Sequence, residues 1–126
     1  VPQFSAELLN AEPTLNVRIV PTPELGEGVT CCIAEMTADE QDDRLWVPWN
    51  AYKEQRKQEN NRRFRSFAVA SALCDEARKF AYSPGQIEEA AEKLAGKSTK
   101  AVQRLYIAAS QLNGIGEVEV EEIVKN

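Results

Sequence analysis

Histidine is absent from all 126 residues. The commonest general base and the commonest metal ligand are therefore both missing. Cysteine is scarce and odd in number, with Cys31 and Cys32 adjacent and Cys74 alone. Three cysteines do not close into a disulfide set within one chain, and a metal site needs more ligands at paired spacings. A nucleophilic cysteine without a histidine to activate it is a poor catalyst. The expectation is three buried or half-buried thiols in a reducing cytoplasm. No apolar run approaches the ~20 residues of a membrane-spanning helix, and the N-terminus has no secretory signal pattern. Positive charge is in deficit, 15 basic residues against 20 acidic for a net charge of -5. That balance disfavours wholesale nucleic-acid binding, which needs a basic face. With no nucleophile, base and orienting group together, no catalytic, cofactor-binding or metal-ligating residue is assigned. The chain reads as a non-enzyme that works by holding other proteins, with no membrane partner.

What is present is a single domain's worth of sequence, 43% hydrophobic and 28% charged, enough for one core. The centre of the pattern is Phe64 to Cys74. Its stretch Phe67-Ala68-Val69-Ala70-Ser71-Ala72-Leu73-Cys74 carries no charge. A helix apolar on every side must be covered on every side, so it reads as the central helix of a bundle, ending near Asp75. Thr37-Ala38-Asp39-Glu40 and Ser83-Pro84-Gly85-Gln86 are capping boxes that open two further helices. In the first, Leu45, Trp49 and Tyr52 share one face, and Pro48 predicts a kink or restart. In the second, Ile87, Ala90, Ala91, Leu94 and Ala95 form the apolar stripe, and Gly96 closes it. A last helix runs from Ser98 to Gly114 with Ala101, Val102, Leu105, Ala108, Ala109 and Leu112 inward. Asp75 to Ser83 reads as an irregular connection anchored by Phe80.

Ahead of the helices, Leu15, Val17 and Ile19 alternate with polar neighbours, and Val29, Cys31 and Ile33 alternate with Thr30, Cys32 and Ala34. These are two strands of an antiparallel hairpin over 14–35. The fold expected is mainly α with a small N-terminal β-hairpin, an α+β arrangement of about four helices around the apolar one. Residues 1–13 read as an arm, 14–115 as the domain, and 116–126 as an acidic tail.

Several clusters have two readings. Arg56, Lys57, Arg62, Arg63 and Arg65 suit phosphates, but interspersed glutamates and the lack of an aromatic ladder favour a solvated helix end. The carboxylates from Asp39 to Asp43 lack the glycine and ligand alternation of a calcium loop and complement a helix dipole. Trp46 and Trp49, one turn apart, suit either the core or a binding hot spot. Ile107 lies opposite the buried stripe of its helix. The candidate protein-binding residues are Phe4, Leu8 and Leu9 of the arm, together with Trp46, Trp49 and Ile107.

Three segments carry a resemblance to a known family. They are Glu35-Met36-Thr37-Ala38-Asp39-Glu40-Gln41-Asp42, the run Phe64 to Glu76, and Ser98 through Ala101-Val102-Gln103-Arg104-Leu105-Tyr106 to Gly114. In order and spacing they resemble the tail assembly chaperones of long-tailed bacteriophages, over residues 15 to 115. Such proteins often carry a glycine after the central helix, where this chain has Ala77-Arg78. The resemblance implies a helical, non-enzymatic chaperone of the host cytoplasm with no cofactor. It would bind the tape measure protein, associate with itself, and be absent from the mature virion. It further implies a frameshifted longer form that recruits tail tube protein, with the acidic tail as linker. The alternatives are a small head–tail joining or tail-completion protein, and a helical nucleic-acid-binding regulator.

Overall fold

The computed structural model describes residues 5–55 and 63–115. The fold is mainly helical, with a small three-stranded antiparallel sheet near the N-terminus. A short helix α1 (Ala6–Asn10) precedes strand β1 (Val17–Pro21). A turn containing Gly28 at φ 75° leads to β2 (Thr30–Ala34). The register pairs Val17 with Ala34 and Pro21 with Thr30. The hairpin is as expected, but its phase is not. Val20 is the buried residue of β1, while Ile19 is 56% exposed. Val20 sits across from Cys31 and Arg18 across from Ile33, so this face turns toward the helices. Arg18 reaches across to Gln111. Alternation of Val17 and Ile19 with polar residues identified a strand, but not which face meets the core, because a one-residue shift exchanges the faces.

The Thr37 capping box is formed in full: the Thr37 hydroxyl accepts from Glu40 N–H, and Glu40 accepts from Thr37 N–H at 2.9 Å. It opens α2 (Ala38–Gln41), which passes through a widened π turn at Asp42–Trp46 into α3 (Val47–Gln55). There the Val47 N–H donates to the Asp42 carbonyl, five residues back. The expected restart at Pro48 thus takes a definite form. In an α-turn the proline ring would strike the carbonyl four residues earlier, and the wide turn directly before it relieves that clash. The turn also changes which residues face inward, burying Arg44 beside Leu45.

Helix α4 (Phe64–Ala72) is the central helix, with Phe64 and every residue from Ser66 to Ala72 buried. It packs against α5 (Ile87–Ala95), α6 (Thr99–Asn113), the π turn and β2. Its end differs from expectation. The helix stops at Ala72, and Leu73–Cys74 form a third strand, β3, paired with β2 through Cys32↔Cys74 and Ile33↔Leu73. A buried apolar run suits helix or strand equally, and the unpaired side of β2 decides the matter by offering backbone partners. Phe80 anchors the connection as expected, bridging back to Cys74. The Ser83 capping box forms. Gly114 closes α6 in the left-handed region at φ 67°, with Ile115 N–H returning to the Ser110 carbonyl.

Trp49, Tyr52, Phe64 and Phe67 form the aromatic heart of the core, with ring centroids 4.9–5.8 Å apart. Trp46 stacks on Phe64 from the margin at 5.7 Å. The three thiols are free, Cys32 buried and the others half-buried. Burial, then the neighbouring Cys32 and Asp75, push the Cys74 thiol up to about 11, so it stays protonated at neutral pH.

Arg78, in the connection after α4, has a φ of 67°, in the left-handed region that favours glycine. An L side chain there costs about 1–2 kcal/mol. The side chain offsets the strain: Nε donates to the Glu35 carbonyl at 3.0 Å, the guanidinium pairs with Glu40, and it lies 5.2 Å from the Phe80 ring centre. Desolvation of the Glu40 carboxyl raises its pKa, but the Thr37 N–H and Arg78 outweigh this and leave it below the ordinary value. Arg78→Ala and Arg78→Gly lose the same contacts, so their difference isolates the backbone. The glycine variant is expected to be the more stable by about 1 kcal/mol, measured by urea unfolding. An alanine variant of equal stability would contradict a left-handed conformation at this position.

Candidate protein-interaction surface

The residues proposed from sequence fall in separate places. Phe4 lies outside the described residues, as do 116–126 and the basic residues Arg56, Lys57 and Arg62. Leu8 and Leu9 are 58% and 75% exposed, on a helix that buries none of its residues. The arm therefore presents two adjacent leucines to solvent. Trp46 is half-buried. Trp49 is corrected: at 1% exposure it belongs to the core and has no surface to offer a partner. Its ring sits between Tyr52, Phe64 and Phe67. Val47, which the sequence reading passed over, takes the surface role on that helix at 62% exposure.

Ile107 is 45% exposed and occupies a definite setting. One turn before it, Arg104 donates to the Pro21 carbonyl at 2.5 Å and pairs with Glu24. One turn after it, Gln111 accepts from Arg18 at 2.6 Å. Residues three and four apart share a helix face, so Arg104, Ile107 and Gln111 form one stripe. Its two polar ends clamp α6 onto β1, and the isoleucine between them stays partly open. The Glu24 carboxyl is held below its ordinary value, chiefly by a hydrogen bond from its own backbone; desolvation opposes this, and Arg104 adds to it.

Beside this stripe runs an edge strand. Among the described residues the order β1-β2-β3 leaves β1 with one neighbour. Thr22 N–H donates to Val29, and Glu35 N–H donates to Asn16. Hydrogen-bonded positions alternate in an antiparallel ladder, so Asn16, Arg18, Val20 and Thr22 face β2. Val17 and Ile19 direct their N–H and C=O groups outward. Among the described residues neither makes a hydrogen bond on that side. The edge is short. Pro21 has no N–H, and Arg104 occupies its carbonyl, which is how natural sheets limit an open edge. What remains, among the described residues, is two residues of unpaired backbone, with the exposed Ile19 side chain on one face and α6, which carries Ile107, packed against the strand. This arrangement can accept an extended or apolar protein segment.

Arg44, which no sequence signal singled out, is structural. It is 5% exposed. Its Nε donates to the Ser71 carbonyl at 2.8 Å, another nitrogen donates to Tyr82 at 2.6 Å, and its plane lies 3.7 Å from the Phe80 ring centre. Burial lowers its pKa, and the last turn of α4 supplies the negative end of a helix dipole. Asn113 is a second missed clasp. It accepts from Met36 N–H at 2.6 Å and donates to the Ala34 carbonyl at 3.1 Å, joining the end of α6 to the exit of β2.

Among the described residues no helix is long and apolar enough to cross a membrane. Neither family models, nor curated proteins, nor solved structures give a match to this chain.

Proposed function

We propose that this chain is a tail assembly chaperone of a long-tailed bacteriophage. In this reading it acts in the host cytoplasm, self-associates and keeps the tape measure protein soluble until tail tube subunits polymerise around it. A frameshifted longer form would bring the tube protein. No bond is made or broken, and no cofactor is used. The resemblance of the three segments in order supports the reading. The observation that carries it is the apolar surface left on an otherwise filled fold: Leu8 and Leu9 on α1, Val47 on α3, and Ile19 with Ile107 at the open edge of β1. A protein that coats a long client benefits from several modest contacts of this kind, repeated over many copies.

The test is co-expression with the neighbouring tape measure protein, scoring the soluble fraction of that client. The wild-type chain is expected to keep it soluble. Leu8→Ser with Leu9→Ser, and separately Ile107→Asp, are expected to reduce solubilisation or self-association at least severalfold, while each changes stability by only about 0.5 kcal/mol. A client that stays equally soluble without the chain would sink the proposal. So would variants that work as well as wild type. Recovery of the chain in purified mature particles would favour a joining or completion protein instead.

A further inference from the structure

The cationic residues Arg63 and Arg65 do not simply project into solvent. They line a cleft of about 140 Å³ between the first turns of α4 and α6, with Ser66, Lys97, Thr99 and Gln103. The remainder of the lining is aliphatic. Among the described residues three cations and no carboxylate line this cleft, in a chain whose net charge is -5. Arg63 has a long contact of 3.4 Å to Glu92, half in solvent. Among the described residues Arg65 and Lys97 have no carboxylate partner within 4.0 Å, and Arg65 is steadied by the Tyr106 ring at 5.7 Å.

Polar groups in the cleft are also left open. The terminal oxygen of Gln103 is buried with no hydrogen-bond partner among the described residues. Amide oxygen and nitrogen are interchangeable by rotation, so the same side chain offers an N–H₂ donor to an anion. Ser66 is 5% exposed, and its hydroxyl makes no hydrogen bond among the described residues. Neither Arg63 at the start of α4 nor Ser98 at the start of α6 caps its helix with a side chain. First-turn residues of both helices therefore bring positive dipole ends to one place.

We propose that this cleft binds a phosphate group, free or as a terminal monoester. Phosphate carries a charge of about -1.5 to -2 at neutral pH, which three cations balance better than they balance a carboxylate. Arginine forks and helix termini fit its several oxygens. A nucleic-acid backbone offers singly charged diesters on a polyanion, which the negative net charge of the chain repels.

The experiment is a titration of the whole chain with inorganic phosphate, followed by amide NMR at constant ionic strength with chloride as the balancing ion. Saturable shifts at Ser66, Lys97, Thr99 and Gln103 are expected, with Lys97→Gln and Arg65→Gln each weakening binding about tenfold, the loss of one charge-assisted contact. Lys97→Arg is expected to retain binding. Both residues are exposed, and if Arg65→Gln fails to fold, Lys97→Gln decides alone. Shifts that never saturate, that chloride reproduces, or that survive both substitutions would overturn the proposal. So would much tighter binding of a short single-stranded oligonucleotide with a steep salt dependence, which would mark a nucleic-acid surface instead.

Discussion

Replacing Trp49 with alanine is expected to destabilise the protein by about 3–5 kcal/mol, the range for removing a large aromatic from a packed core. The indole is 1% exposed. It meets Phe64 and Phe67 edge-on at 5.3 Å and stacks on Tyr52 at 5.8 Å. Its loss leaves a cavity among rings that belong to two helices, α3 and α4, so neither helix alone can close the gap. A domain of this size has about 5–15 kcal/mol in total, and the variant should therefore sit near the edge of folding. Urea unfolding followed by circular dichroism measures the loss. A deficit below about 1 kcal/mol would contradict the core position of Trp49. Trp46→Ala, at the margin of the same cluster, should cost clearly less.

Arg44→Ala is expected to cost about 3 kcal/mol, from two hydrogen bonds made by a charged donor. The substitution leaves the Ser71 and Tyr82 carbonyls without their partner and takes the flat cation off the Phe80 ring. Arg44→Lys should be nearly as damaging, because one ammonium cannot reproduce a planar fork that reaches two carbonyls and stacks on a ring. Arg44→Met separates two contributions. It restores apolar volume and removes the cost of burying a charge, yet supplies no donor. Methionine is therefore expected to fall between alanine and wild type in the midpoint of urea unfolding. A methionine variant as stable as wild type would show that the arginine contributes packing alone.

Much of this fold was legible from local chemistry. The capping boxes at Thr37 and Ser83 form because each needs only residues three apart. The stripe Ile87, Ala90 and Ala91 lies inward because its spacing follows the helix period. The uncharged run of α4 had to be covered on all sides, and it is. Pro48 required a departure from regular helix, and a wide turn stands before it. The exposure of the candidate contact residues was legible in part. Leu8, Leu9 and Ile107 are exposed, where the pattern alone allowed the arm to dock on the domain and Ile107 to pack on the hairpin. Trp49 was not assignable from spacing, since a tryptophan on the inner face looks the same in sequence whether the partner is its own domain or another chain.

The remainder depended on groups far apart in the chain. Ile19 faces out and Val20 faces in because α6 lies on one side of the hairpin, with Arg18–Gln111 and Arg104–Pro21 as its clamps. Leu73 and Cys74 leave the helix because β2 presents an unpaired edge there. Arg44 is buried because two carbonyls and a ring from distant segments converge on it. Thus the amino-acid sequence by itself determined which segments form helices and strands, and that the chain has one apolar helix needing cover. Those outcomes follow from periodicity and capping within a few residues. Only the tertiary structure decided where the central helix ends, which face of β1 is open and which cations are buried. Each of these turns on a contact between residues tens of positions apart, and local patterning carries no record of that contact.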